Sequence, residues 1–190
     1  MALVQRTPSR AGHLGAGTTR RLAIGGAFLV FWAAGSLKGH AEEVLGGVLP
    51  PGAAAEILAV HNKERAAVGV PPLRWDGALA ATALQCAQRL AASGQFRHCR
   101  SGENLWMGTE GRFSPTQMAQ GWAEERRDFK AGIFANVSRT GNWQDVGHYT
   151  QMVWRTTTSV GCAAATGADG LTRLVCNYAP PGNVYGRPVF

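Results

Sequence analysis

The stretch from Ser159 to Tyr178 leaves the chain one local fold. Ser159-Val160-Gly161-Cys162-Ala163-Ala164-Ala165 and Leu171-Thr172-Arg173-Leu174-Val175-Cys176-Asn177-Tyr178 are two short apolar runs, separated by turn residues from Gly167 to Gly170. That pattern predicts two strands joined by a turn. A hairpin centred on Asp169 sets Cys162 opposite Cys176. Directly opposed residues lie about 4.5–5.5 Å apart at Cα, within disulfide reach. A Cys162–Cys176 bond is therefore expected.

Disulfides need an oxidising compartment, and the amino terminus supplies the route. Arg6, Arg10, Arg20 and Arg21 form a basic lead, followed by the apolar run Leu22 to Ala34 and by Gly39-His40-Ala41, a small-x-small cleavage site. This order reads as a secretory signal peptide over residues 1–41. The apolar run is shorter than the roughly 20 residues that span a bilayer, although reading on to Leu37 leaves an uncleaved anchor as the alternative. Arg20-Arg21 hints at twin-arginine export. The leader holds five of the 19 basic residues and none of the 12 acidic ones. What remains carries 14 basic against 12 acidic side chains, a formal charge of +2. Without a Lys/Arg block, the domain has no electrostatic footprint for nucleic acid. The expected product is a secreted protein, extracellular or periplasmic, monomeric and without a stable membrane span after cleavage.

Residues 42–51 read as a linker and 52–190 as the domain. A first helix is predicted from Gly52 to Val68, with Gly69 stopping it. His61 lies mid-helix and is read as a packed, hydrogen-bonded histidine. Val70 to Trp75 is an extended connector. Asp76 is placed as N-cap of a second helix that runs to Ser93 and ends at Gly94. Leu79, Ala83, Cys86 and Leu90 mark its buried face. Cys99 is the nearest cysteine to Cys86. Four cysteines allow three pairings, and the spacings lack the close pair of a zinc site. A Cys86–Cys99 bond would close a 14-residue ring, worth on the order of 3 kcal/mol, and clip the loop carrying His98 onto the helix. Ser114-Pro115 opens a third helix. Met118, Trp122, Glu125 and Phe129 share its apolar stripe, and Glu124 is rotated away. Ala131 to Val146 reads as a long loop that includes the acceptor motif Asn136-Val137-Ser138.

Four polar residues stand in apolar surroundings: His98, Glu103, Glu125 and His148. A carboxylate on an inward stripe must find a partner. If the four converge, two imidazoles and two carboxylates suit a divalent cation or a hydrogen-bonded cluster. His148 opens the run Gly147-His148-Tyr149-Thr150-Gln151-Met152-Val153-Trp154, a polar tip on an aromatic wall.

That run, together with His61-Asn62-x-x-Arg65, Leu73-x-Trp75-Asp76, Gly102-Glu103-Asn104-Leu105, Trp122-x-x-Glu125 and Cys176-Asn177-Tyr178-x-Pro180-x-Gly182-Asn183, resembles the CAP superfamily. This group comprises cysteine-rich secretory proteins, antigen 5 and pathogenesis-related proteins of class 1, built on the SCP domain. The resemblance covers about Ile57 to Phe190 and is greatest to the plant branch and its bacterial relatives. It implies an α+β fold, a three-layer α-β-α sandwich with a short antiparallel sheet. It also implies a cleft tetrad of His98, Glu103, Glu125 and His148. With that cleft come a divalent cation (zinc or magnesium), a sterol or lipid ligand, and a defence- or host-interaction role. Gly147, Tyr149, Gln151, Trp154, Asn177, Tyr178, Pro180, Gly182 and Asn183 carry the family signature. Pro180 to Phe190 resembles the peptide that plant members release from their C-terminus. The departures are fewer cysteines than the usual six, Phe129 in place of a common tyrosine, and Arg173 in place of an apolar residue.

A hydrolase is the alternative from another class, with Glu103 and Glu125 as acid and base or with the histidines holding a catalytic metal. No Ser/His/Asp or Cys/His order stands out. A binding protein is the expected class, and a purely structural tetrad is the third reading.

Overall fold

The hairpin centred on Asp169 forms the middle of the sheet. Strands β4 (Ser159–Thr166) and β5 (Leu171–Ala179) pair antiparallel with Cys162 opposite Cys176. The two cysteines are bonded, with Cα atoms 4.1 Å apart. The computed structural model describes residues 3–4 and 49–190. Apart from Leu3–Val4, the expected leader with its apolar run lies outside the described residues, as does most of the 42–51 linker.

Strand β3 (Glu103–Thr109) runs antiparallel to β5 on its other side. Two-residue edges, β1 (Leu3–Val4) and β2 (Arg74–Trp75), pair in parallel with β3 and β4, giving the order β1-β3-β5-β4-β2. Arg74-Trp75, the end of the expected extended connector, is thus an edge strand. The segment opening at Glu103 is a strand covered on both faces, so its Leu105 and Trp106 are both buried. Such a strand shows a continuous apolar run instead of alternation, which hides it from a period-two reading.

Side-chain alternation along β3, β4 and β5 feeds two separate cores. Leu105, Ala163, Ala165 and Val175 pack against Ala83, Cys86, Ala87 and Leu90 of α2 (Gly77–Ser93). Trp106, Cys162, Ala164, Leu174 and Cys176 face the opposite side. There they meet Ile57 of α1 (Ala53–Ala67), Trp122 of α3 (Pro115–Ala123) and Met152 of α4 (Gly147–Met152). This is the expected α-β-α sandwich.

The helix signals act as read. Asp76 accepts from the backbone N–H of Ala78 and Leu79, and Gly94 closes α2 at φ 65°. Ser114 and Gln117 form a reciprocal capping box, with Pro115 in the first turn. Two details differ. Leu79, placed on the buried face of α2, is only partly buried. Helix α3 ends at Ala123, and a 3-10 turn, Glu124–Arg127, follows. Glu125 therefore turns inward from that tightened turn, and Phe129 lies beyond it. The expected loop 131–146 is tied down by a bridge from Ile133 to Pro188 and by a second 3-10 turn, Trp143–Val146. The Cys86–Cys99 bond is present, clipping the His98 loop onto α2.

Candidate functional site

The four candidates form two pairs, His98 with Glu103 and Glu125 with His148. At the first, Gly102 takes φ 72°, and a Cβ there would lie 2.7 Å from Pro181 Cβ. Only glycine fits this corner, which turns the chain into β3 and places Glu103 inside. Glu103 Oε2 accepts from Cys99 N at 2.7 Å and from Arg100 N at 3.2 Å. His98 Nδ1 stands 3.7 Å from the same oxygen. Glu103 Oε1 is buried with no hydrogen-bond partner among the described residues.

The second pair is tighter. Glu125 Oε2 accepts from the backbone N–H of His148 at 2.9 Å and of Tyr149 at 3.1 Å, while Oε1 meets His148 Nδ1 at 2.6 Å. The carboxylate thus satisfies amides at the start of α4, which would otherwise lack acceptors, and grips the imidazole as well. The His148 ring stacks on Trp122, with centroids 6.0 Å apart. Gly147 gives Trp143 its seat: a Cβ there would lie 3.2 Å from the indole. With Nδ1–H donated to Glu125, a neutral His148 presents Nε2 as an acceptor. That atom too is buried and without a partner among the described residues.

His98, Glu103, Asn104, Trp143, His148 and Asn183 line a cleft of about 210 Å³. Glu125 does not line it. The tetrad is therefore not a set of four equivalent ligands: Glu125 positions His148, and the cleft itself receives His98, Glu103 and His148. An acid-base pair of Glu103 and Glu125 would need both carboxyls at the cleft. Among the described residues, the one metal-compatible trio within 4.8 Å is Cys86, Cys99 and Glu103, and its sulfurs are spent in the disulfide.

A polar chain that sequence reasoning missed supports the cleft from behind. Asn104 Nδ2 donates to His148 O at 3.1 Å and to the Tyr178 hydroxyl at 3.0 Å. His61 Nε2 lies 2.7 Å from that hydroxyl, and its Nδ1 lies 2.7 Å from Ile57 O. Burial lowers the His61 pKa from 6.5 to about 4 and raises that of Tyr178 well above its usual value. His61 is then neutral and donates Nδ1–H to Ile57 O. Its Nε2 accepts from the Tyr178 hydroxyl, which in turn accepts from Asn104. Both Asn104 and Tyr178 stand in the quoted motifs, but their partners are remote in sequence. The expected role of His61, packed and hydrogen-bonded, is what the structure shows.

The remaining signature residues fasten α4. Asn183, at φ 56°, accepts from the Thr150 hydroxyl at 2.7 Å and donates to Gly147 O at 2.8 Å. Gln151 Oε1 accepts from Gly182 N, and Pro180 O accepts from the Thr157 hydroxyl. Asn177 donates to Leu79 O, on the other side of the sheet. A Cβ on Gly182 would lie 2.6 Å from the Trp154 ring. Arg65, fully buried, donates to the carbonyls of Pro71, Met152, Trp154 and Thr157, gathering the end of α4. Arg173, the departure from an apolar residue, is buried and paired with Asp169 across the hairpin turn.

The family model of CAP, the cysteine-rich secretory protein family, matches residues 58–178. The chain is a CAP family member. Pathogenesis-related protein 1C of Nicotiana tabacum is 39% identical over 135 residues, covering 70% of this chain and 77% of that one. Pathogenesis-related leaf protein 4 of Solanum lycopersicum is 40% identical over 132 residues, covering 70% and 80%. Among solved structures, NaASP2 with Zn2+ superposes with a TM-score of 0.64 at 23% identity, covering 76% of this chain and 87% of that one. Venom allergen-like protein 4 of Schistosoma mansoni gives 0.53 at 27%, covering 72% and 92%. The solved neighbours establish the CAP fold. Among the described residues, no helix is long and apolar enough to cross a membrane.

Proposed function

We propose that this CAP protein is an exported binding protein whose cleft takes up a divalent cation, zinc in preference to magnesium. The observation that carries the reading is the pair of buried acceptors at the cleft, His148 Nε2 and Glu103 Oε1, that have no partner among the described residues. Leaving such atoms buried and unpaired costs roughly 1–3 kcal/mol each, a cost that a cation would offset. Mixed imidazole and carboxylate donors suit zinc, whereas magnesium favours oxygen ligands alone and keeps its waters. His98, beside Glu103, would join the set by a swing of its ring, since the His98, Glu103 and His148 donor atoms do not all lie within 4.8 Å of one another. Glu125 would act as the carboxylate that fixes the tautomer and basicity of a ligating histidine.

The leader and the family name support export. The pathogenesis-related names of the relatives support a defence-type role. A sterol or lipid would sit elsewhere, since the His/Glu cleft is polar. A separate cavity of about 320 Å³, lined by Leu49, Trp75, Leu84 and Ala163, is apolar enough for one.

Thermal melting with zinc tests the cation reading. A site saturated a hundredfold above its Kd raises stability by about 2.7 kcal/mol. The midpoint should rise for the native chain and stay put for His148→Ala. Glu125→Gln should weaken binding by roughly 10–100-fold. An unchanged midpoint in the native chain, or the same rise in His148→Ala, would sink the proposal.

A further inference from the structure

Three large apolar side chains stay exposed among the described residues: Ile133 at 51%, Val184 at 45% and Tyr185 at 69%. Although far apart in sequence, they share one surface. Ile133 bridges to Pro188. Phe134 N donates to Arg187 O at 2.9 Å, and Gly186 N donates to Phe134 O at 2.7 Å. The Tyr185 ring stands edge-on to Phe134 at 5.4 Å and to Trp143 at 6.2 Å. Val184 carries the surface into a groove of about 370 Å³, which Trp154, Pro188 and Phe190 line together with Arg155 and Arg187. Among the described residues, no carboxylate pairs with either arginine.

A single exposed apolar residue needs no explanation, whereas a contiguous group marks a contact surface. Its chemistry selects the partner. A second copy of the chain would have to meet the two arginines with carboxylate side chains from the same face, and the side chains of Ile133, Val184, Tyr185, Pro188 and Phe190 offer none. An anionic bilayer supplies both halves: headgroup charge for the guanidiniums and a boundary layer for the apolar side chains. Tyrosine suits that boundary, with an apolar ring and a polar tip.

We propose that this face docks on the surface of an anionic phospholipid bilayer, with Ile133, Val184 and Tyr185 entering the headgroup region and Arg155 and Arg187 meeting the lipid charge. Because Trp143 both lines the cleft and touches Tyr185, docking holds the cleft beside the headgroups. The inference does not depend on the cation reading.

Co-sedimentation of the full chain with phosphatidylcholine vesicles, with and without added phosphatidylserine, tests it. The native chain should bind more tightly when phosphatidylserine is present, and salt should erase the gain. Arg155→Ser and Arg187→Ser should each weaken binding about fivefold. The double variant Val184→Ser with Tyr185→Ser should weaken it on the order of tenfold or more. Arg155, Val184 and Arg187 are exposed, so melting midpoints of their single variants should hold. Zinc binding by Arg187→Ser should match the native chain, which separates this surface from the cleft. The leader is common to every variant, so the differences belong to the face. The proposal is overturned by affinity that ignores phosphatidylserine, or by variants that bind like the native chain. A dimer that Tyr185→Ser dissolves would make the face a self-contact. Displacement from vesicles by one equivalent of soluble short-chain phosphatidylserine would make the groove a site for single lipids.

Discussion

Acid should loosen this domain through a residue well away from the cleft mouth. His61 is fully buried in α1. Its folded pKa lies near 4 against 6.5 unfolded, chiefly because burial disfavours the imidazolium. Between those values the unfolded chain binds a proton that the folded chain refuses. Unfolding is therefore proton-coupled, and stability falls as pH falls. The contribution is whole above about 6.5 and declines by about 1.4 kcal/mol per pH unit below it. Across the full window the loss is roughly 3 kcal/mol, and by about pH 5 it is roughly 2 kcal/mol. Urea unfolding of the oxidised protein at about pH 7 and about pH 5, with m-values compared, measures it. His61→Gln supplies the contrast. It should be less stable at neutral pH, because it breaks the link to Tyr178, yet its stability should fall less steeply on acidification. The two proteins differ at that one side chain, so the difference in slope isolates His61. Equal slopes in the two proteins would refute the reasoning.

Arg65→Met should strip three buried carbonyls and one partly buried one of their donor, at a cost on the order of 3 kcal/mol. A scan should show the melting midpoint lower by roughly 6–12 °C, and a change within a degree or so of zero would contradict the gathering role. Replacing Cys86 and Cys99 by serine should cost about 3 kcal/mol. It should also weaken zinc uptake, since the bond holds the loop whose Cys99 N–H donates to Glu103. Lost stability with unchanged zinc affinity would confine the bond to the fold.

Local signals carried most of the architecture. The hairpin and its disulfide follow from two strands arranged symmetrically about one turn, a relation that needs no tertiary information. The capped helices follow from Asp76, Ser114, Pro115 and Gly94. Glu125 was found by helical spacing even though α3 stops at Ala123, because the 3-10 turn that follows keeps it on the inner side. What the sequence hid depends on contacts between distant segments. Strand β3 lacks alternation because both its faces are covered. The division of the tetrad into a clamp and a cleft rests on which oxygen meets which backbone amide. The chain from His61 through Tyr178 and Asn104 to His148 joins four elements that share no local pattern. The surface formed by Ile133, Val184 and Tyr185 exists only because the 133–134 and 184–188 segments are strapped together.

The central claim is that Glu125 locks His148 so that Nε2 faces the cleft as an acceptor. Nitrogen-15 spectra of the imidazoles, recorded above the histidine titration range while zinc is added, test it directly. The account predicts a His148 that carries its proton on Nδ1, and a zinc-dependent shift confined to Nε2. A proton on Nε2, or a His148 signal that ignores zinc, would contradict it.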